Sequence, residues 1–119
     1  MTRIRPTLAA VAALALAAAA PLGAAPTATK LTGTVGPGFT ISLKKGGTKV
    51  TKLKAGAYTI TVSDKSALHN FHLKGPGVNK KTSVSAKGSK TWNVTLKKGK
   101  YTYDCDPHAS FMKGSVQVS

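Results

Sequence analysis

Cysteine is almost absent from this chain of 119 residues: Cys105 is the only thiol. With a single thiol no internal disulfide can form, so the encoded domain must fold without a covalent staple. Acid is nearly absent as well. Asp64, Asp104 and Asp106 are the whole acidic complement against 18 lysines and arginines, and arginine occurs only at Arg3 and Arg5. A chain so basic attracts acidic partners, but scattered lysines with no further arginine argue against nucleic acid as one of them. No internal repeat occurs, and beyond residue 30 no stretch carries the period of an amphipathic helix. Long apolar runs are limited to Leu8 to Ala20, which is too short and too rich in alanine to make a convincing membrane span.

That run belongs to a targeting segment. Arg3 and Arg5 form a positive start, the apolar stretch follows, and Pro21 to Ala28 supplies small residues for cleavage. Residues 1–25 are therefore expected to be a signal peptide, cut somewhere between 20 and 28, with an uncleaved anchor as the lesser alternative. No cysteine lies near the cut, so no bacterial lipid anchor is expected. The product is a secreted or extracytoplasmic protein, periplasmic or cell-surface associated, with residues 26–119 as one domain. Removing the two arginines leaves 18 − 2 = 16 lysines against three aspartates, a net charge of +13. Such a monomer suits an acidic redox protein partner or an anionic cell envelope, although most of the lysines serve as a solubilising surface.

From Lys30 onward the pattern has a period of two. Leu31, Gly33 and Val35 alternate with polar residues, and after Gly36-Pro37-Gly38 so do Phe39, Ile41 and Leu43. Val50 and Leu53 mark a weak strand; Tyr58, Ile60 and Val62 mark a clear one. Leu68 to Leu73 reads as a strand carrying His69 and His72, followed by a long loop opened by Gly75-Pro76-Gly77 and returning through Thr82 to Ser85. Trp92, Val94 and Leu96 form the cleanest strand; Lys97-Lys98-Gly99-Lys100 turns it into Tyr101, Tyr103 and Cys105, and Gly114 to Val118 closes the chain. Seven or eight short strands at this spacing predict an all-β, Greek-key antiparallel β-sandwich.

The chemistry concentrates between Tyr101 and Gly114. Cys105, His108 and Met112 fall within eight residues, with the spacing Cys-x2-His-x3-Met. A lone thiol in an exported protein calls for a reason, and metal ligation supplies one. Thiolate and thioether sulfur favour Cu(I) while imidazole accepts Cu(II), so the set suits copper. Pro107 stiffens the loop, and a stiff ligand loop favours electron transfer. A fourth ligand must come from elsewhere, and His69 and His72 are the only candidates.

The stretch from Gly99 to His108, ending in Met112-Lys113-Gly114, resembles the copper loop of the cupredoxins, and Leu68-His69-Asn70-Phe71 resembles the segment that supplies the first histidine in plastocyanin and pseudoazurin. The resemblance implies one type 1 copper held by His69, Cys105 and His108 in the equatorial plane, with Met112 as a weak axial ligand. It also implies that Asn70 ties the two ligand-bearing segments together. The Cys-to-His gap is that of plastocyanin and the His-to-Met gap that of azurin, so axial bond length and colour do not transfer. Asp106 stands where relatives commonly carry Ser or Thr, and a carboxylate near the copper would lower its potential.

His72, three residues past His69, is expected to face away from it as a surface or packing residue. The sharper alternatives are a second, weaker metal site or a loop hydrogen bond near Gly75-Pro76-Gly77. Trp92, Tyr101 and Tyr103 read as core aromatics. The expected docking patch around His108 comprises Pro107 and Phe111, with Ala109, Pro76 and Val78, flanked by Lys74 and Lys113. The leading function is one-electron carriage without enzymatic activity. The alternative is copper storage, delivery or protection, while an oxidase is disfavoured because aspartates flank Cys105 where a multicopper enzyme would place histidines.

Overall fold

The computed structural model describes residues 27–119; the expected signal segment, residues 1–25, lies outside them. Alternating apolar and polar residues become ten strands: β1 Thr29–Val35, β2 Ile41–Lys45, β3 Thr48–Lys49, β4 Lys52–Leu53, β5 Gly56–Asp64, β6 His72–Gly75, β7 Val78–Lys81, β8 Gly88–Leu96, β9 Gly99–Asp104 and β10 Lys113–Val118. One 3-10 turn, Asp106–His108, is the only helical piece among the described residues.

The strands form two five-stranded sheets, in the orders β3-β2-β1-β5-β8 and β4-β10-β9-β6-β7. Two pairings are parallel, β1 with β5 and β4 with β10, so both sheets are mixed rather than purely antiparallel. The cause is the return path: β2 carries the chain back along β1, β3 turns it forward, and β4, running with β10, brings it back again, so β5 starts beside the start of β1. The count rises to ten partly because Thr48 to Leu53 splits into two short pieces that pair in different sheets. The expected long loop after Gly75 is instead a tight hairpin, with Gly75 opposite Val78 and β7 running to Lys81.

Inward-facing residues of both sheets meet in one core. Leu31, Val35, Leu43, Ile60 and Val62 come from the first sheet and Leu73, Tyr101, Tyr103, Val116 and Val118 from the second, all at most 2 % exposed. Each aliphatic side chain so buried contributes about 1.5–3 kcal/mol of transfer free energy. Trp92 belongs to the edge strand β8 and is only half-buried, packed against Phe71 at a centroid distance of 6.2 Å. The Tyr103 ring lies flat on Phe71 at 5.5 Å and presses on Gly114, where a Cβ would fall 2.2 Å from the ring. Position 114 must be glycine for that reason, and the packing fixes β9, the strand that leads to Cys105, against β10.

Strand directions define two ends. Val35, Asp64, Asp104 and Lys113 lie at one; Thr29, Leu96, Gly99 and Val118 lie at the other.

Candidate metal centre

Cys105 follows the last residue of β9 and is fully buried. The loop beyond it is closed by its own backbone. His108 N donates to Cys105 O at 2.9 Å, Phe111 N and Met112 N both donate to His108 O, and Cys105 N donates to Met112 O at 3.0 Å. Pro107 sits in the first turn, where its fixed φ suits the 3-10 geometry and its missing N–H costs nothing. The backbone of Cys105, His108 and Met112 is thereby closed into one compact loop, and Met112 is 1 % exposed.

His69 reaches the same place from a loop, which corrects the strand expected from Leu68 to Leu73: pairing begins only at His72. Side chains have taken the backbone partners that a ladder would use. Ser66 N donates to Asp64 Oδ1 and Leu68 N to Ser66 Oγ, both at 3.0 Å, while Phe71 N donates to Thr82 Oγ1 at 2.9 Å. The segment is held irregular, and His69 is buried to 3 % exposure. Gly36 packs beside it with φ +70°, and a Cβ there would meet Ser66 at 3.0 Å.

Three ligand atoms converge. His69 Nδ1 lies 3.1 Å from His108 Nδ1, and Cys105 Sγ lies 3.6 Å from the first and 3.5 Å from the second. A triangle of these sides has its centre about 2 Å from each corner, the length of a metal–imidazole bond. Two Nδ1 lone pairs so close repel unless a proton or a cation lies between them. A thiolate completing the triangle makes a soft metal ion the fitting occupant, and the mixed sulfur and imidazole donors suit copper.

Asn70 joins the segment that carries His69 to the one that carries Cys105. Its Oδ1 accepts from Asp106 N at 2.7 Å, and its Nδ2 donates to Asp106 Oδ2 at 2.7 Å and to Thr82 O at 3.3 Å. Asp106 is also held from the other side, since its Oδ1 lies 2.7 Å from His72 Nδ1. Partial burial alone raises the Asp106 carboxyl, but the hydrogen bonds from His72 and Asn70 and the charges of His72 and Lys74 outweigh it and hold the group below the usual carboxylate range. The carboxylate is thus committed to His72 and Asn70.

His72 matches the hydrogen-bonded reading, with different partners from those expected: its other nitrogen lies 2.6 Å from Asn79 Oδ1 on β7. Ligand-type atoms of His72, Asp104 and Asp106 also fall within 4.8 Å of one another. Both ring nitrogens already face oxygens, however, and Asp104 pairs with Lys74 at 3.4 Å.

The surface over His108 differs from the expected patch. Pro76 and Val78 lie at the Thr29 end: Pro76 O accepts from Tyr101 OH, a Cβ on Gly99 would meet the Pro76 ring at 2.8 Å, and Val78 is buried. The tight β6–β7 hairpin is what carries them there. Phe39 takes their place. In the sequence it alternates in phase with Ile41 and Leu43, but Gly36 N donates to Thr40 O across the preceding turn, and β2 starts only at Ile41. Its ring stands 5.3 Å from His69, 5.1 Å from His108 and 5.7 Å from Phe111. Phe39, Leu68 and Phe111 are the large apolar side chains most exposed among the described residues, and Leu68 adjoins His69. Pro107, which precedes His108 in the chain, is exposed as well. Lys113 opens β10 opposite Asp104, and Lys74 lies on β6.

Residues 39–119 match the family described as copper binding proteins, plastocyanin/azurin family. No curated protein matches by sequence. Similar solved structures include rusticyanin from Thiobacillus ferrooxidans, with TM-score 0.53, 23 % identity and 76 % of each chain covered. Reduced rusticyanin gives TM-score 0.55 at 21 % identity, covering 76 % of this chain and 78 % of that one. At such identities the likeness establishes the fold.

Proposed function

Because the chain belongs to the plastocyanin/azurin family of copper binding proteins, with one type 1 copper as its cofactor, we propose that it is an exported one-electron carrier whose ligands are His69, Cys105, His108 and Met112. The observation that carries this reading is the convergence of His69 Nδ1, Cys105 Sγ and His108 Nδ1 to within 3.6 Å of one another. Bound copper supplies one-electron chemistry by alternating between Cu(II) and Cu(I). The protein's contribution is to keep the donors in place through that change. The backbone bonds from Cys105 to Met112 and the three hydrogen bonds of Asn70 hold both ligand segments, so little rearrangement accompanies each transfer. Asn70 and Asp106 act behind the ligands, as the groups that orient the loop.

Electrons enter and leave at His108. Its ring is half-buried, with Phe39 and Phe111 on its flanks, so it reaches the surface where Cys105, His69 and Met112 are buried. A redox partner docks on the apolar cluster of Phe39, Leu68, Phe111 and Pro107. Charge assists less there, since all three aspartates share that end and Lys74 is paired with Asp104; Lys113 is the nearer source of attraction for an acidic partner.

Export is supported by the charged start and apolar run of residues 3–20. Among the described residues no helix is long and apolar enough to cross a membrane. The mass of the exported protein tests the cut, which should fall between residues 20 and 28. The carrier role is tested by repeated chemical oxidation and reduction. A carrier retains its copper through many cycles, whereas loss of copper on reduction would identify a delivery protein.

A further inference from the structure

We propose that Phe39 is a positioning residue for the copper ligands: its ring wedges the imidazoles of His69 and His108 into their mutual orientation and keeps water from them, a role separate from docking. The inference rests on the ligand assignment above and adds to it a residue that binds no metal.

The turn that carries Phe39 is built against the ligands. Gly36 N donates to Thr40 O at 2.9 Å, which folds residues 36–40 back on themselves, and Lys65 N donates to Val35 O at 2.9 Å, which ties the foot of the turn to the loop leading to His69. Gly36 packs so closely there that a Cβ would lie 3.5 Å from His69 Cδ2. Phe39 then returns over the rings. Its centroid lies 5.3 Å from that of His69 and 5.1 Å from that of His108, at interplanar angles of 64° and 83°, while the two imidazoles stand 4.8 Å apart at 73°. Three rings so spaced and inclined meet edge to face, the arrangement that aromatic quadrupoles favour. Among the described residues no other phenyl ring packs on both imidazoles, since Phe111 reaches only His108, at 5.5 Å.

A second observation concerns what else holds the imidazoles. A metal-bound histidine is ordinarily oriented by a hydrogen bond from its remote nitrogen. Here both rings make their polar contacts through Nδ1, and among the described residues neither Nε2 has a hydrogen-bond partner. Ring packing therefore supplies the orientation that a bond supplies elsewhere. Phe39 is 66 % exposed and adds little to the core; the rings it packs on are His69, His108 and Phe111. Orientation and water exclusion have separate consequences. Imidazoles already held in place lose less freedom on loading, so copper binds more tightly. An apolar ring over them lowers the local polarity and disfavours Cu(II), the more highly charged state, which raises the reduction potential.

The test compares Phe39→Ala with Leu68→Ala in the exported protein; the second removes an exposed apolar side chain from the same cluster but no ring. In the copper-free wild type, nuclear Overhauser contacts should join the Phe39 ring protons to those of both His69 and His108, and absence of either set would overturn the proposal. Copper affinity, measured by competition with a chelator of known strength, should fall about tenfold in Phe39→Ala and less than about twofold in Leu68→Ala. The reduction potential should fall in Phe39→Ala alone. Phe39→Tyr should restore both quantities, whereas Phe39→Leu, which keeps apolar cover without a ring, should restore the potential but not the affinity. Equal effects of Phe39→Ala and Leu68→Ala, or a Phe39→Leu variant that fails to separate affinity from potential, would overturn the proposal and leave Phe39 as docking surface alone. The visible copper band is read on every loaded sample: its absence from the wild type, with both sets of ring contacts present, would sink the carrier reading and leave the wedge standing.

Discussion

At the copper end, the chain crosses between strands on side chains. Asn70 takes both the N–H and the carboxylate of Asp106, Thr82 takes Phe71 N, and Ser66 takes Leu68 N. At the opposite end the β2–β3 crossing is a short backbone turn, with Gly46 at φ +55° and Gly47 at +83°, and the neighbouring side chains project into solvent. The contrast explains what each end tolerates. Bonds made by particular side chains position buried ligands to fractions of an ångström and fail when one residue changes. Glycine turns require only a backbone conformation and leave the adjacent residues free to carry charge.

Asn70→Ala should break this contrast most severely. It strands the part-buried N–H of Asp106 and the buried carbonyl of Thr82, and each orphaned group costs about 1–3 kcal/mol. Denaturant unfolding of the copper-free protein should show a loss of about 3 kcal/mol, and the copper-loaded variant should have a displaced absorption band. A loss below about 1 kcal/mol would mean that Asn70 does not tie the segments together.

Glycine substitutions sharpen the comparison. Gly114→Ala forces a Cβ to within 2.2 Å of the Tyr103 ring and should cost about 1–3 kcal/mol. Gly46→Ala meets nothing within 4 Å and should cost only about 1 kcal/mol, from its left-handed backbone. Thermal midpoints of the pair, measured side by side, should keep that order.

Asp106→Ser removes a negative charge beside the ligands and should raise the reduction potential, measured by equilibrium titration with redox dyes. Its effect on stability should stay within about 1 kcal/mol, because the pair with His72 is partly exposed. An unchanged potential would show that the hold of His72 and Asn70 on the carboxylate already hides its charge from the metal. Smallest of all, Lys98→Ala should leave unfolding within about 0.5 kcal/mol of the wild type.

Most of the strand pattern was legible in the sequence because inward positions alternate strictly, as in Tyr58, Ile60 and Val62. Cys105, His108 and Met112 were legible because one turn of backbone gathers them, so spacing alone implies proximity. His69 was reached through resemblance: choosing it over His72 depends on a loop built by Asp64, Ser66 and Thr82, whose hydrogen bonds run between distant positions. Phe39 was hidden by its phase, which matches Ile41 and Leu43 although a turn detaches it from their strand. The partners of His72 were hidden for a related reason, since the hairpin that brings Asn79 to it reads as an open loop.

The most direct test of the account is to add Cu(II) to the purified protein and to three variants and to record the visible spectrum of each. The wild type and His72→Ala should develop the intense thiolate-to-copper absorption, and Cys105→Ser and His69→Ala should not. Retention of the band in His69→Ala with its loss in His72→Ala would contradict the assigned ligand set.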